Sequence, residues 1–386
     1  MNMKRLLTLT SIMIIILTAS VLVQANDLKL SVDGKIVVPT VAPVIDNGVT
    51  LVPMRFISEI LGASVNWDGS QQKATLETAS YTVVFTIGST SYSVNNQVKT
   101  LLNAPQLING STMLPLRAFS EAIGAEVGYD QATSTVSVDY FSNMTGNLII
   151  TGSTTVQPIA QAAADRLSAL NNGLSISVAG GGSGAGVNDT IAGTNHLGMS
   201  SRELTEAELA QIKPVAIAND GIAIIVHPSN AVKELTMEQA KQIFLGEIRN
   251  WQEVGGANAP VLVVTRETGS GTRSTFEEML LAKKPVVETA TPVTSSELVK
   301  LEVAREANAI GYDSIGFVEN TVKAVVLEGI MASADTVNSG AYPMGRELFM
   351  LVGNNATTNA AKFIDYLHTS EVQREIVGAE GYIPLP

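Results

Sequence analysis

Cysteine is absent from this chain of 386 residues, and histidine occurs only three times. Without thiols the protein forms no disulfide, no thiolate metal site and no cysteine-linked lipid anchor, so we expect that it is not a lipoprotein. His196, His227 and His368 stand far apart in the sequence, and none has a metal-binding partner at helical or strand spacing. The sequence therefore predicts neither a metal site nor a bound cofactor.

Positive charge is also scarce, since 24 lysine and arginine residues face 36 aspartate and glutamate residues, a net charge of −12. Nucleic-acid-binding proteins carry basic surfaces, and we therefore expect no nucleic-acid partner. An acidic protein can still bind a small anion, because helix termini and nearby arginines dominate the local field. With 45% hydrophobic residues, the chain has the length and composition for two or three packed domains.

The first 25 residues have the pattern of an export signal. Lys4 and Arg5 precede an uncharged, mostly apolar run over residues 6–23, and Val23-Gln24-Ala25 offers a small-residue cleavage site. An uncleaved membrane anchor stays open as the alternative, because the apolar run approaches the length of a bilayer span. Under either interpretation, we expect the rest of the chain outside the cytoplasm, secreted or at the cell surface.

Two stretches of the N-terminal third repeat each other. Residues 48–68 and 110–130 share a proline, an arginine, a Ser-Glu pair, a Gly-Ala pair and a final aspartate at matching positions. Pro53 and Pro115 are expected to start a helix, and the glycine of each Gly-Ala pair to end it. Each unit is therefore predicted to contain a short strand, a helix and a strand hairpin, within a small α+β domain over residues 26–140.

This repeat resembles the stalk domain, also described as copper amine oxidase N-terminal-like, of bacterial surface proteins. The resemblance implies a spacer or a module that contacts the cell wall. Copper is not implied, because residues 26–140 contain neither histidine nor cysteine. The arginine and glutamate of each unit, Arg55 with Glu59 and Arg117 with Glu121, are predicted to form a structural ion pair or a cap at the helix start, with a ligand-binding pair as the alternative.

After a polar, aperiodic segment over residues 141–147, predicted as a linker, strand patterns alternate with helix patterns. This alternation predicts an α/β domain with mainly parallel sheets flanked by helices over residues 148–386. Gly/Ser/Thr-rich turns lie between a predicted strand and a predicted helix at residues 152–154, 180–186 and 269–272. Because the C-terminal ends of strands and the N-termini of helices bind anions, these turns predict an anion site.

An arginine stands at the mouth of the third turn, in the sequence Arg266-Glu-Thr-Gly-Ser-Gly-Thr272. Its planar guanidinium suits an oxyanion, and the serine and threonine add hydroxyl donors. The glycine run at residues 180–186 lacks the Gly-Lys-Ser/Thr ending of a nucleotide-binding loop. No Ser-His-Asp order and no close pair of carboxylates is evident, so the sequence predicts a binding protein rather than an enzyme, with no catalytic residue.

From residue 148 to the C-terminus, the chain resembles the substrate-binding proteins of phosphate ABC transporters, the PstS type. The matching segments are collinear and include the three turns together with Met199–Leu204, Asn219–Pro228, Ile243–Trp251 and Tyr342–Arg346. The resemblance implies a two-lobed, hinged periplasmic-binding-protein fold, with phosphate in the cleft and delivery to a membrane permease. It places the first lobe at residues 148–222 and 345–386, and the second at residues 223–344.

By motif position, the resemblance assigns phosphate contacts to both lobes. They are Ser153, Thr154, Ser183 and Ser201 from the first lobe, and Arg266, Ser270, Gly271 and Thr272 from the second. Arg202, Asp220 and Arg273 are candidates for supporting contacts. For Arg202 and Arg273, an ion pair with a neighbouring acid is the alternative.

One position departs from the family pattern. Members often have an aspartate where this chain has Ser201, and that carboxylate accepts the proton of hydrogen phosphate and repels sulfate. Serine brings no charge repulsion, so a receptor for sulfate, arsenate or another tetrahedral oxyanion stays open. Asp220 and Glu267 are candidates to replace the missing carboxylate. A cell-surface structural or adhesive protein, dominated by residues 26–140, is the alternative from another class.

Overall fold

The structure, a computed structural model, describes residues 23–24 and 28–385. Almost all of the predicted export signal, residues 1–25, lies outside the described residues, and the signal stays a prediction. Within the described part of the chain, no helix is both long and apolar enough to cross a membrane.

The N-terminal domain consists of short strands around two short helices. In chain order the elements are β1 (Val23–Gln24), β2 (Lys29–Val32), β3 (Lys35–Val37), β4 (Val44–Asp46), β5 (Val49–Pro53), α1 (Met54–Ile60), β6 (Ser64–Asp68), β7 (Lys73–Glu77), β8 (Thr82–Thr86), β9 (Ser91–Val94), β10 (Gln97–Thr100), β11 (Gln106–Ile108), β12 (Ser111–Pro115), α2 (Leu116–Ala122), β13 (Glu126–Asp130) and β14 (Thr135–Asp139). They form sheets with the strand orders β1-β4-β5-β12-β11, β10-β9-β8-β7-β6 and β13-β14-β2-β3.

The sequence repeat corresponds to a structural repeat, β5-α1-β6-β7 and β12-α2-β13-β14. Pro53 and Pro115 are the residues immediately before the first helical turn, where their missing N–H costs nothing. Gly62 and Gly124 follow the helices with φ of +71° and +85°, a backbone conformation that favours glycine. Strands β5 and β12 pair with each other, so the two units share one sheet.

The repeated arginine and glutamate have different contacts in the two units. In the second unit Arg117 lies 3.0 Å from Glu121 as an exposed i,i+4 ion pair, as predicted. In the first unit no ion pair joins Arg55 to Glu59 in the described structure. Both side chains instead line a crevice between the N-terminal domain and the following lobe.

The second part of the chain alternates strands and helices. Its elements are β15 (Gly146–Gly152), α3 (Gln157–Leu170), β16 (Leu174–Ala179), α4 (Ser183–Ala192), β17 (Leu197–Ser200), α5 (Glu206–Leu209), β18 (Lys213–Val226), β19 (Glu234–Leu235), α6 (Met237–Phe244), a 3-10 helix (Trp251–Val254), β20 (Leu262–Arg266), α7 (Gly271–Met279), β21 (Thr291–Val293), α8 (Ser296–Arg305), β22 (Ala309–Ser314), a 3-10 helix (Ile315–Phe317), β23 (Lys323–Ala324), β24 (Val326–Leu327), α9 (Ala334–Asn338), β25 (Gly345–Val352), α10 (Thr358–Leu367), α11 (Ser370–Val372) and a π-helix (Gln373–Val377).

The long strand β18 connects the two lobes. Its first part, Lys213 to Gly221, pairs with β25, and its second part, Ile222 to Val226, pairs with β22. The strand order is β16-β15-β17-β25-β18-β22-β20-β21, and a ninth strand, β23, also pairs with β18. Strand β15 pairs parallel with β16 and β17, and β20 pairs parallel with β21 and β22, whereas the neighbours in the run β17-β25-β18-β22 and the pair β18-β23 are antiparallel. The sheet is therefore mixed, and its parallel character is confined to the lobes.

The N-terminal domain and the first lobe share one hydrophobic core, in which Phe119 and Leu61 belong to the same cluster as Phe363 and Leu367. Helix α10 makes several polar contacts across this junction, and Lys35 adds an exposed ion pair with Glu371 of α11 at 2.7 Å. Asp365 accepts hydrogen bonds from the Ala79 N–H and from the Tyr140 hydroxyl, both at 2.6 Å. Lys362 donates from Nζ to the Tyr140 carbonyl oxygen at 2.6 Å.

The segment over residues 141–147 is packed against these elements. Phe141 and Met144 are buried, and the Asn171 side chain accepts from the Met144 N–H and donates to the Phe141 carbonyl. Strand β15 already begins at Gly146. Residues 141–147, whose polar composition predicted a linker, therefore form a connection that is packed against the domains by buried side chains.

Replacing Gly62 by alanine is expected to disturb the contact between the N-terminal domain and the first lobe. A Cβ at Gly62 would lie 1.8 Å from the Asp365 carbonyl oxygen, whereas a Cβ at Gly124 would have the Tyr81 hydroxyl as its nearest neighbour, at 3.8 Å. Both positions have positive φ, so Gly124→Ala is a matched control with the same left-handed strain of about 1–2 kcal/mol. Thermal unfolding should give a lower Tm for Gly62→Ala than for Gly124→Ala, and equal shifts would contradict the close packing.

Candidate anion-binding site between the lobes

The first two predicted turns meet at the ends of the first lobe's parallel strands. Gly182 donates its N–H to the Gly152 carbonyl at 3.0 Å, and Ser153 donates to the Met199 carbonyl at 2.9 Å. Gly152 has a φ of +133°, and a Cβ there would lie 2.4 Å from the Met199 carbonyl oxygen. Only glycine fits this approach, which places Ser153 beside the start of α4.

The third turn reaches the same place from the second lobe. Gly184 donates its N–H to the Gly269 carbonyl at 2.9 Å, and the hydroxyls of Thr155 and Thr272 lie 2.9 Å apart. A Cβ on Gly271 would lie only 2.2 Å from Ser183 Oγ. The two lobes are thus closed on each other, with small-residue turns on both sides of the contact.

The serine hydroxyls of these turns are oriented by backbone N–H groups. Ser153 Oγ accepts from the Thr155 N–H at 3.2 Å, Ser183 Oγ accepts from the Ser201 N–H at 3.0 Å, and Ser270 Oγ accepts from the Arg273 N–H at 3.2 Å. Because the oxygen lone pairs serve these N–H groups, the O–H hydrogens remain as donors. Helices α4 and α7 also begin here and add the partial positive charge of their N-termini. The arrangement is suited to an acceptor-rich guest.

Arg266, the last residue of β20, is 2% exposed, and its guanidinium donates hydrogen bonds only to neutral groups among the described residues. Its Nη1 donates to Ser296 Oγ at 3.1 Å, and its Nη2 donates to Thr154 Oγ1 at 3.0 Å and to the Thr294 carbonyl at 3.1 Å. Its Nε is buried and has no acceptor among the described residues, where no carboxylate forms an ion pair with it either. Burial lowers the pKa of Arg266. A buried cation of this kind is costly unless an anion compensates it.

A second arginine, Arg346, lies at the crossing of β18 and β25 and was not among the predicted site residues. Its Nε donates to Asp220 Oδ2 at 2.9 Å, and its Nη1 donates to the Ser201 carbonyl and to Thr272 Oγ1, both at 3.0 Å. Asp220 also accepts from the Ser314 hydroxyl at 2.6 Å. The structure therefore places Asp220 in a buried ion pair of the first lobe, beside the predicted contacts, and this pair is hydrogen-bonded to Thr272 and Ser314 of the second lobe.

Arg202 and Arg273, also candidates for supporting contacts, are paired with acids. Arg202 makes a two-pronged contact with Glu208 at 2.8 and 2.9 Å, and these hydrogen bonds lower the pKa of Glu208 to about 2. Arg273 donates from Nε to Glu277 at 2.7 Å, and its Nη1 donates to the Arg266 carbonyl at 2.9 Å. Arg273 thus contacts the backbone of the central arginine, whereas Arg202 is directed toward α5.

The eight predicted contact residues are brought together by this closure, and Thr155, Ser296, Asp313, Ser314 and Arg346 join them without having been predicted. For two of these residues, Ser296 and Arg346, the sequence contained a signal. Ser296 opens α8 after the short strand β21, in a Thr-Ser-Ser turn like the three that were recognised. Arg346 stands in a segment that carried the family resemblance.

Comparison with known proteins agrees with this architecture. Residues 126–371 match the PBP superfamily domain, and residues 31–138 match the copper amine oxidase N-terminal domain. The phosphate-binding protein PstS of Bacillus subtilis is 32% identical over 279 residues, which cover 71% of this chain and 93% of the relative. The chain belongs to the PstS family.

Other relatives and solved structures agree with this assignment. PstS of Pseudomonas aeruginosa is 31% identical over 276 residues, covering 64% of this chain and 85% of its own. A structure from Clostridium perfringens, described as a phosphate ABC transporter substrate-binding protein with bound phosphate, has a TM-score of 0.60 and 37% identity, covering 62% of this chain and 100% of its own. An ABC-type phosphate transport receptor from Vibrio cholerae has a TM-score of 0.53 and 33% identity, and the match covers 62% of this chain and 100% of the receptor chain.

These comparisons confirm the two-lobed fold and the N-terminal repeat domain that the sequence predicted. The named PstS relatives are binding proteins and transport receptors, which agrees with the expectation of a binding protein rather than an enzyme.

Closure of the lobes should depend on the absence of a side chain at Gly271. An alanine Cβ there would meet Ser183 Oγ at 2.2 Å and Ser201 Oγ at 2.8 Å, so Gly271→Ala should hold the lobes apart. Small-angle scattering in saturating phosphate, the ligand of the Clostridium relative, should give a larger radius of gyration for Gly271→Ala than for the parent.

The matched control adds Ser183→Gly to Gly271→Ala. This double variant removes the nearest obstacle and should recover part of the compaction. A Gly271→Ala protein that closes as the parent does would show that the lobes do not meet at this point.

Proposed function

We propose that this chain binds inorganic phosphate between its two lobes outside the cytoplasm and delivers it to the membrane permease of an ABC transporter. The observation that carries the proposal is the buried Arg266 guanidinium, which has hydroxyl partners and a free Nε but no carboxylate partner in the described structure. A dianion placed beside it would supply the missing charge, and charge-assisted hydrogen bonds are strongest in a dry site.

The proposed phosphate contacts come from both lobes. Hydroxyl donors from Ser153, Thr154, Ser183, Ser201, Ser270 and Thr272 would surround the anion, together with the Gly271 N–H and the Arg266 guanidinium. Since an anion held by both lobes contacts the closed state more than the open one, binding would stabilise closure. We place the hinge where β18 and β25 cross, at the paired residues Gly221 and Gly345.

Delivery to a permease is supported by the relatives of known structure, one described as an ABC transporter substrate-binding protein and another as a phosphate transport receptor. Export through the predicted signal, with the protein secreted or at the cell surface, fits this role. The N-terminal domain would serve as a spacer, and contact with the cell wall through residues 26–140 is part of the proposal.

Replacing Arg266 by alanine should weaken phosphate binding at least about thirtyfold, because truncating one partner of a buried charge pair costs about 2–5 kcal/mol. Arg202→Ala is the matched control, since Arg202 is paired with Glu208. Calorimetric titration of anion-free protein should show the loss for Arg266→Ala and a near-parental affinity for Arg202→Ala. Parental binding by Arg266→Ala would remove Arg266 from the site.

Sulfate is a second candidate ligand, because Ser201 offers a hydroxyl donor at the position where a carboxylate would repel it. Titration of the parent protein with phosphate, then with sulfate in competition, tests this point. Tight phosphate binding that sulfate cannot compete supports a phosphate receptor. Comparable binding of sulfate or arsenate would make the protein a general oxyanion receptor, and no binding of any of them would favour a surface-structural or adhesive role.

A further inference from the structure

A buried carboxyl group lies behind the proposed anion site and has no role in the contacts described above. Asp313, in β22, is fully buried, and its Oδ1 accepts the Ser314 N–H at 2.9 Å. Its Oδ2 is buried without a hydrogen-bond partner in the described part of the chain. A buried polar atom left unsatisfied in this way calls for an explanation, and proximity to a binding site is a recurrent one.

The neighbours of Asp313 connect it to the central arginine. The Ser296 hydroxyl accepts from Arg266 Nη1 at 3.1 Å and also favours the charged form of Asp313. The charged or titratable groups that face this carboxyl are Arg266, Arg346 and Tyr382, with Asp220 reached through Ser314. Burial raises the pKa of Asp313 to about 7, although both arginines lower it.

The charges around the site nearly cancel when Asp313 is ionised. Arg346 is neutralised by Asp220 at 2.8 Å, which leaves Arg266 and Asp313 to compensate each other at longer range. An anion bound beside Arg266 would bring one or two further negative charges next to Asp313. A nearby negative charge disfavours the ionised form of the carboxyl group, and the low polarity of the buried site strengthens this repulsion.

We propose that Asp313 takes up a proton when an anion binds between the lobes, so that anion affinity is coupled to pH through this carboxyl. The inference rests on the proposed phosphate site. Anion binding raises the pKa of Asp313. By thermodynamic linkage, anion affinity therefore falls as the pH rises above the pKa that Asp313 has in the free protein. At pH values well below both pKa values, Asp313 is protonated in both states and contributes no coupling.

The test is the number of protons taken up per phosphate, measured by calorimetry at pH 8 in buffers of different ionisation enthalpy. Phosphate itself titrates near neutral pH, so the comparison of variants isolates Asp313. Asp313→Asn should still bind phosphate, but its proton uptake per phosphate should be smaller than that of the parent by as much as one proton. Its phosphate affinity should also fall less steeply between pH 7 and pH 9. The matched control is Asp365→Asn, because Asp365 is also buried and its pKa is raised by burial to about 6, but it faces the N-terminal domain.

Infrared difference spectra of the parent protein give a second measurement that does not depend on the folding of a variant. Adding phosphate at pH 8 should produce the carbonyl band of a protonated carboxyl group. Equal proton uptake by parent and Asp313→Asn, or no such band although phosphate binds, would overturn the role of Asp313 alone. Absence of phosphate binding by the parent would overturn the proposed function together with this inference.

Discussion

The architecture of the two lobes is organised around one buried, unpaired guanidinium. Arg266 is withdrawn from water without a carboxylate partner in the described structure, a placement that a folded protein tolerates only when other groups compensate the charge. Hydroxyls of Thr154 and Ser296 and the Thr294 carbonyl hold it in place. Glycines let the turns approach it, and the acceptor-rich partner that it requires is the basis of the proposed function.

The two arginines of the cleft have different tasks because their partners differ. Arg346 is compensated by Asp220 and joins the Ser201 carbonyl to Thr272, so it is a structural link between the lobes. Arg266 has no ion-pair partner among the described residues, and Asp313 compensates its charge only at longer range. The N-terminal domain contacts α10 of the first lobe through Asp365 and Lys362, and the proposed hinge lies where β18 and β25 cross.

Local sequence patterns predicted much of the fold and of the candidate site. Turn composition identified the three turns that meet between the lobes and Arg266, and the repeat identified β5-α1-β6-β7 and its copy, because these signals lie within short stretches of chain. The Arg346–Asp220 pair could not be derived in that way, since its members are 126 residues apart and meet only through the pairing of β25 with β18. Asp313 had no local signal, because its isolation depends on burial by distant elements.

The central claim is that an oxyanion lies against Arg266 between the closed lobes. A crystal structure of the protein with arsenate, located by its anomalous scattering, tests it most directly. The account predicts a tetrahedral anion within hydrogen-bond distance of Arg266 and of the hydroxyls of Ser153, Ser183 and Ser270. An anion located elsewhere, for example in the crevice lined by Arg55 and Lys213 between the N-terminal domain and the first lobe, would contradict it.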